Sequence, residues 1–211
     1  MSNITTLFWD IGGVLLTDGW DREERRAACE KFGLEPMEFE QRHQVITDPF
    51  EKGEVGLDEY LDQTVFHRAR QFTRHEFRDF MFAQSRPYLK NLTVARQVAR
   101  SGLFLMAALN NESLDLNLHR IKRFELRSCF SAFFTSCFLG IMKPEEKIYR
   151  LTLQVTQRLP GECLFIDDRP HNLQYPQKLG MQTIHYRDPA QLQRELGEYG
   201  IAVPESAGRG A

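Results

Sequence analysis

Short apolar runs alternate with longer helix-patterned segments along most of this chain, and that alternation limits the fold more than any other feature. Leu7 to Asp10, Leu103 to Leu109, Phe133 to Cys137, Cys163 to Asp167 and Thr183 to Tyr186 read as strands. Helices fit between them at about Leu92 to Ser101 (closed by Gly102), Ser113 to Arg123, Pro144 to Arg158, Asn172 to Leu179 and Pro189 to Leu196. Alternating strand and helix predicts an α/β fold, with a parallel sheet covered by helices on both faces. Pro144 suits a first helical position. Pro176 falls inside its helix, which predicts a short or kinked element.

One long segment breaks the alternation. From Asp18 to Ser85 no strand is evident, and four helices are expected at Arg22 to Phe32, Pro36 to Val45, Asp58 to His67 and Arg74 to Ala83. Gly33 stops the first, and Thr73 with Glu76 forms a capping-box pair for the last. The division expected is a core of residues 1–17 and 86–204, a helical insert of 18–85, and a disordered polar tail of 205–211. The net charge of −2 gives no footprint for nucleic acid. The four cysteines have no metal-ligand spacing, and no apolar stretch is long enough for a membrane span. A soluble cytoplasmic protein with reduced thiols is expected.

The strongest acids stand where a parallel sheet places its ligands, just beyond strand C-termini. Asp10 closes Leu7-Phe8-Trp9 and is followed by Gly12 and Gly13. Asp167 and Asp168 close the fourth strand. If those strands are neighbours, three carboxylates converge, which requires a cation. All-oxygen ligands favour magnesium over zinc. Lys143 can reach a phosphate and keep Asp10 ionised. Asn110 and Asn111 end the second strand and suit phosphate oxygens; as asparagines they serve equally well in a turn. Asn172 can orient Lys143 or a carboxylate, and its neighbour His171 is expected to face solvent.

These segments together resemble the haloacid dehalogenase-like hydrolase superfamily. Asp10-Ile11-Gly12-Gly13-Val14 resembles its first motif, Leu109-Asn110-Asn111 its second, Lys143-Pro144 its third, and Asp167-Asp168 with Asn172 its fourth. The insert resembles the small helical cap, and Gly53 to Leu61 is similar to caps of a sugar-phosphate phosphatase branch. The resemblance implies a Rossmann-like doubly wound sheet in the order 5-4-1-2-3 with an inserted four-helix cap. It implies that Asp10 attacks phosphorus and carries an aspartyl-phosphate. Magnesium would be held by the Asp10 carboxylate, the Gly12 carbonyl and Asp168, with Asp167 behind them. Gly12, Gly13, Asn110, Asn111, Lys143 and Asn172 would surround the phosphoryl group.

Two positions depart from that pattern. Asn110 replaces a hydroxyl residue, and Gly12 replaces the acid–base aspartate, whose help is worth about 10²–10⁴-fold. An activated leaving group, such as an anomeric or acyl phosphate, needs that help less. Otherwise another donor must supply the proton, with His171 and His43 the first to test. The leading expectation is a magnesium-dependent phosphatase for a small phosphorylated metabolite, plausibly a sugar phosphate. A non-catalytic binding or regulatory protein and a haloacid dehalogenase are the alternatives. Neither nucleic acid nor membrane is an expected partner, and a homodimer stays open. Trp20, His43 and the Glu51–Glu54 turn are placed to select the substrate.

Overall fold

The computed structural model describes residues 3–203, so the expected tail at 205–211 lies outside the described residues. Strands β1 (Thr6–Trp9), β2 (Leu105–Asn110), β3 (Ala132–Thr135), β4 (Cys163–Asp167) and β5 (Gln182–His185) form one parallel sheet ordered β3-β2-β1-β4-β5. This is the expected order read from the opposite edge. The central strand β1 pairs Leu7 with Met106 on one side and with Leu164 on the other. Its C-terminal end therefore lies between those of β2 and β4. β2 starts two residues later than its apolar run because Leu103 is 75% exposed.

The period-two rule sorts the sheet into two buried faces. Leu7, Trp9, Met106, Ala108, Leu164 and Ile166 point to one face. There they meet α5 (Leu89–Arg100), α6 (Leu114–Arg123) and α10 (Pro189–Glu198). Phe8, Ala107, Leu109 and Phe165 point to the other, against α8 (Glu146–Thr156) and α9 (Pro170–Leu179). Each fully buried large side chain contributes about 1.5–3 kcal/mol. Pro176 does not break α9, because the carbonyl it leaves without an amide donor, that of Asn172, accepts the Tyr149 hydroxyl at 2.8 Å. Pro144 is not a first helical residue. α8 begins at Glu146, and Lys143 and Pro144 form the turn before it.

The insert consists of α1 (Arg22–Phe32), α2 (Pro36–Glu51), α3 (Leu57–Thr64) and α4 (Arg74–Ala83) around its own apolar cluster. Trp20, Phe39, Tyr60 and Phe77 are central to that cluster. Both capping boxes, Asp21 with Glu24 and Thr73 with Glu76, are formed, and Gly33 closes α1 with φ 60°. α2 runs to Glu51 rather than Val45. Pro49 in its last turn removes only a bond to the carbonyl of Val45, which is 80% exposed and free to meet water. The insert enters and leaves along adjacent segments. The Thr17 N–H donates to Arg86 O, and the Tyr88 N–H to Leu15 O, both at 2.9 Å. A short α7 (Ser136–Leu139) follows β3 and packs beside α2.

Candidate active site

The strand ends bring the predicted acids together. Ligand oxygens of Asp10, Asp167 and Asp168 all lie within 4.8 Å of one another. Asp10 is fixed by its backbone N–H to Ile166 O at 2.9 Å, and its Oδ1 accepts the Ile11 N–H at 2.8 Å. Asp167 is fully buried. Its two oxygens accept the Asn172 amide at 3.1 Å each, and Oδ1 also accepts the Arg169 N–H at 2.8 Å. Asn172 thus orients a carboxylate rather than Lys143.

Lys143 is buried between the acids, with Nζ 2.9 Å from Asp10 Oδ2 and 2.6 Å from Asp167 Oδ2. Asn111 holds its backbone reciprocally, accepting the Lys143 N–H and donating to Lys143 O, both at 2.8 Å. The Asn111 side chain is therefore committed to placing Lys143. The Asn110 Oδ1 accepts from the Thr135 hydroxyl at 2.9 Å, while its buried Nδ2 has no partner among the described residues. Gly13 adopts φ 70°, and a Cβ there would lie 2.3 Å from Asp168 Oδ2, so only glycine lets that carboxylate approach. Gly12 has no left-handed requirement; the nearest atom to a Cβ there is 3.5 Å away.

Electrostatics show a cluster short of positive charge. Three carboxylates and one ammonium leave two negative charges uncompensated. Burial, then Asp167 and Asp168, push the Asp10 carboxyl well above the usual carboxylate range despite Lys143. Burial and Asp167 also raise Asp168. Burial pulls the Lys143 ammonium down, but Asp10 and Asp167 outweigh it and the net shift is upward, so Lys143 stays charged. The buried Asp168 Oδ1 has no partner among the described residues. An orphaned carboxylate oxygen, all-oxygen donors and a deficit of two charges fit a hard divalent cation.

A cavity of about 340 Å³ opens above the acids. Asp10, Gly12 and Lys143 form its floor, and Trp20, His43 and Glu51 form its wall from the insert. His171 is exposed at the rim. Among the cavity residues that escaped the sequence reading, two arginines tie the insert to the core. Arg120, 1% exposed, pairs with Glu112 at 2.8 Å and donates to Ser85 Oγ at 3.0 Å, Thr17 O at 3.2 Å and Asp18 O. One guanidinium thus ties α6 to both connections of the insert. Arg169 pairs with Asp21 at 2.7 Å and Asp18 at 3.4 Å across the same junction. Neither carries a local signal, because a basic residue in a last helical turn or beside an acid is ordinary.

Residues 4–180 match the model of the haloacid dehalogenase-like hydrolase family. The chain belongs to this family. It is 29% identical over 177 residues to flavin mononucleotide hydrolase 1 of Arabidopsis thaliana, covering 82% of this chain and 69% of the relative. It is 39% identical to bifunctional epoxide hydrolase 2 of Rattus norvegicus over 39% of this chain but only 15% of that protein. In fold it is similar to a HAD family enzyme of Bacteroides thetaiotaomicron, solved as a magnesium complex. That match has a TM-score of 0.74, 22% identity, and coverage of 88% of this chain and 94% of the other. This chain is thus a HAD-family hydrolase with a Rossmann-like sheet. Among the described residues, no helix is long and apolar enough to cross a membrane.

Proposed function

We propose that this HAD-family hydrolase is a magnesium-dependent phosphatase acting on a small phosphorylated metabolite of the sugar-phosphate class through an aspartyl-phosphate on Asp10. The observation that carries the reading is the convergence of Asp10, Asp167 and Asp168 around Lys143 at the mouth of a polar cavity. The flavin mononucleotide hydrolase relative supports a phosphate monoester as the substrate class.

Asp10, Asp168 and the Gly12 carbonyl would hold magnesium, which supplies charge neutralisation for the phosphoryl oxygens when bound. The Asp10 carboxylate is the nucleophile, with Oδ1 positioned by the Ile11 N–H and Oδ2 by Lys143 Nζ. Lys143 opposes the burial that favours the protonated form of that carboxyl, and it faces the phosphoryl oxygens, where charge spreads in the transition state. Asn111 sets the position of Lys143, and Asn172 sets that of Asp167. Asn110, buried behind Asn111, does not line the cavity, and its Nδ2 has no partner among the described residues. Residues 18–85 act as the cap that selects the substrate and excludes water. The acid cluster argues against a dehalogenase, because halide departure has no use for magnesium ligands.

Gly12 favours the competing reading of a non-catalytic binding protein. Phosphate release over a panel of phosphorylated metabolites with magnesium separates the two. Asp10→Asn should reduce release to background, and full activity in that variant would end the covalent mechanism.

A further inference from the structure

Hydrolysis of an alkyl phosphate needs a proton at the leaving oxygen, and Gly12 has no side chain to give it. The cavity wall must contain the donor. Among its carboxyl groups, Asp10 is paired with Lys143, Asp18 and Asp21 with Arg169, and Glu112 with Arg120. Asp48 is exposed at the rim. Glu51, the last residue of α2, is half-buried in the wall, and its carboxyl has no hydrogen bond or ion pair among the described residues.

The core fixes this residue in place. The Ser136 hydroxyl donates to Glu51 O at 2.6 Å, and Lys52 Nζ pairs with Glu145 at 2.9 Å. Gly53, with φ 73°, sits so close to the core that a Cβ would fall 2.4 Å from the Cys137 carbonyl oxygen. The Ser136 and Gly53 contacts dock the end of α2 onto the junction of β3 and α7, beside the β2 end that carries Asn111 and so Lys143, and the Lys52 pair ties it to the turn before α8.

His43 is not the donor. Trp20 Nε1–H donates to the Tyr60 hydroxyl at 2.9 Å, and that hydroxyl is hydrogen-bonded to His43 Nδ1 at 2.9 Å. Burial and Arg25 hold its pKa down at about 4, so it has no ionisable proton to give at neutral pH.

We propose that Glu51, carried to the cavity by the insert, is the general acid–base residue of this enzyme. The assignment rests on the phosphatase reading above. An Asp10 carboxylate oxygen forms its bond to phosphorus as the bond to the leaving oxygen breaks, and the Glu51 carboxyl proton moves to that oxygen, releasing the alcohol. Water then attacks the aspartyl-phosphate, Glu51 takes a water proton, phosphate departs, and both starting carboxyl states are restored. Burial, then Glu112, raises the Glu51 carboxyl to about 7 against the opposing pull of Arg169, with Asp48 and Asp21 also raising it. That value suits proton transfer in both directions near neutral pH.

The test compares wild type, Glu51→Gln and Asp10→Asn on benzyl phosphate and 4-nitrophenyl phosphate with magnesium. Glu51→Gln should lower kcat/KM on benzyl phosphate by about 10²–10⁴-fold, the value of a general acid. The loss on 4-nitrophenyl phosphate, whose leaving group needs no proton, should be at least about tenfold smaller. Gly12→Asp in the Glu51→Gln background should restore part of the benzyl phosphate rate, since a Cβ at Gly12 meets nothing closer than 3.5 Å. In wild type, the benzyl phosphate rate should fall as pH rises through about 7, a limb that the 4-nitrophenyl phosphate profile lacks; this reading does not depend on any variant folding. Equal losses on both substrates, or no loss, would overturn the assignment while Asp10-dependent phosphate release left the phosphatase reading standing. No phosphate release by wild type would overturn both.

Discussion

The floor and the wall of the cavity hold their polar groups in opposite ways. On the floor, strand ends force Asp10, Asp167 and Asp168 together around one lysine and leave negative charge uncompensated. On the wall, most charged groups of the insert are paired, Asp18 and Asp21 with Arg169 of the core and others within the insert. Arg25 is bidentate to Glu40 at 2.7 and 3.0 Å, and Trp20, Tyr60 and His43 form a neutral chain of hydrogen bonds. The floor is electrostatically incomplete and calls for a ligand, whereas most of the wall is paired. Glu51 is the half-buried wall carboxyl that lacks a partner among the described residues. The contrast assigns charge chemistry to the sheet and recognition to the helices.

The largest effect expected from breaking this contrast is at Lys143. Lys143→Met removes the floor's one cation and leaves buried carboxylates unpaired, which should cost about 3–5 kcal/mol of stability in thermal melts without magnesium. Asp10 is already raised by burial, and losing Lys143 raises it further. The rate loss should therefore be worst at low pH, where the nucleophile protonates first. A pH–rate profile parallel to that of wild type would place Lys143 outside the site.

Adjacent glycines give the next contrast. Gly13→Ala forces a side chain into a left-handed residue and against Asp168, at about 1–3 kcal/mol, and should abolish magnesium binding measured by calorimetry. Gly12→Ala has room and should stay within about 0.5 kcal/mol of wild type. Equal behaviour of the two variants would contradict the geometry of this loop.

On the wall, Glu51→Gln should change stability as well as rate. The folded carboxyl titrates near 7, whereas the ordinary value is 4.5, so the folded state holds the proton more tightly. That contribution is fully present below pH 4.5 and is lost as pH rises through 7. Gln does not titrate, so the variant should match wild type at low pH. Above pH 7 it should be more stable, by on the order of 1–3 kcal/mol in denaturant titrations. A gain independent of pH would mean that Glu51 is not held in its acid form.

The smallest effect belongs to the neutral chain. Trp20→Phe removes the donor to Tyr60, at about 0.5–1.5 kcal/mol, and loosens the placement of His43 behind it. KM should rise a few-fold with little change in kcat, and a fall in kcat alone would assign His43 to the chemistry instead.

Much of the fold and the floor was legible in the chain itself, because their determinants are local. Apolar runs set the strands, Gly33 and the Thr73–Glu76 pair set helix ends, and the acids directly follow strand residues. Strand ends of a parallel sheet share one edge, so naming the strands nearly names the cluster. Where local reasoning failed, a distant partner had taken over. Pro144 looked like a helix start, yet Lys143 is held in the turn before α8 by Asn111, 32 positions away. Pro176 looked disruptive until Tyr149 satisfied the carbonyl it freed. Arg120 reads as a solvated helix residue but is buried between segments 35 and 102 positions distant. The sequence alone determined which groups could carry the chemistry. The tertiary structure decided which carboxyl groups are paired, that His43 is buried against Tyr60 and where the end of α2 docks, because hydrogen-bond partners and desolvation depend on what the folded chain brings alongside.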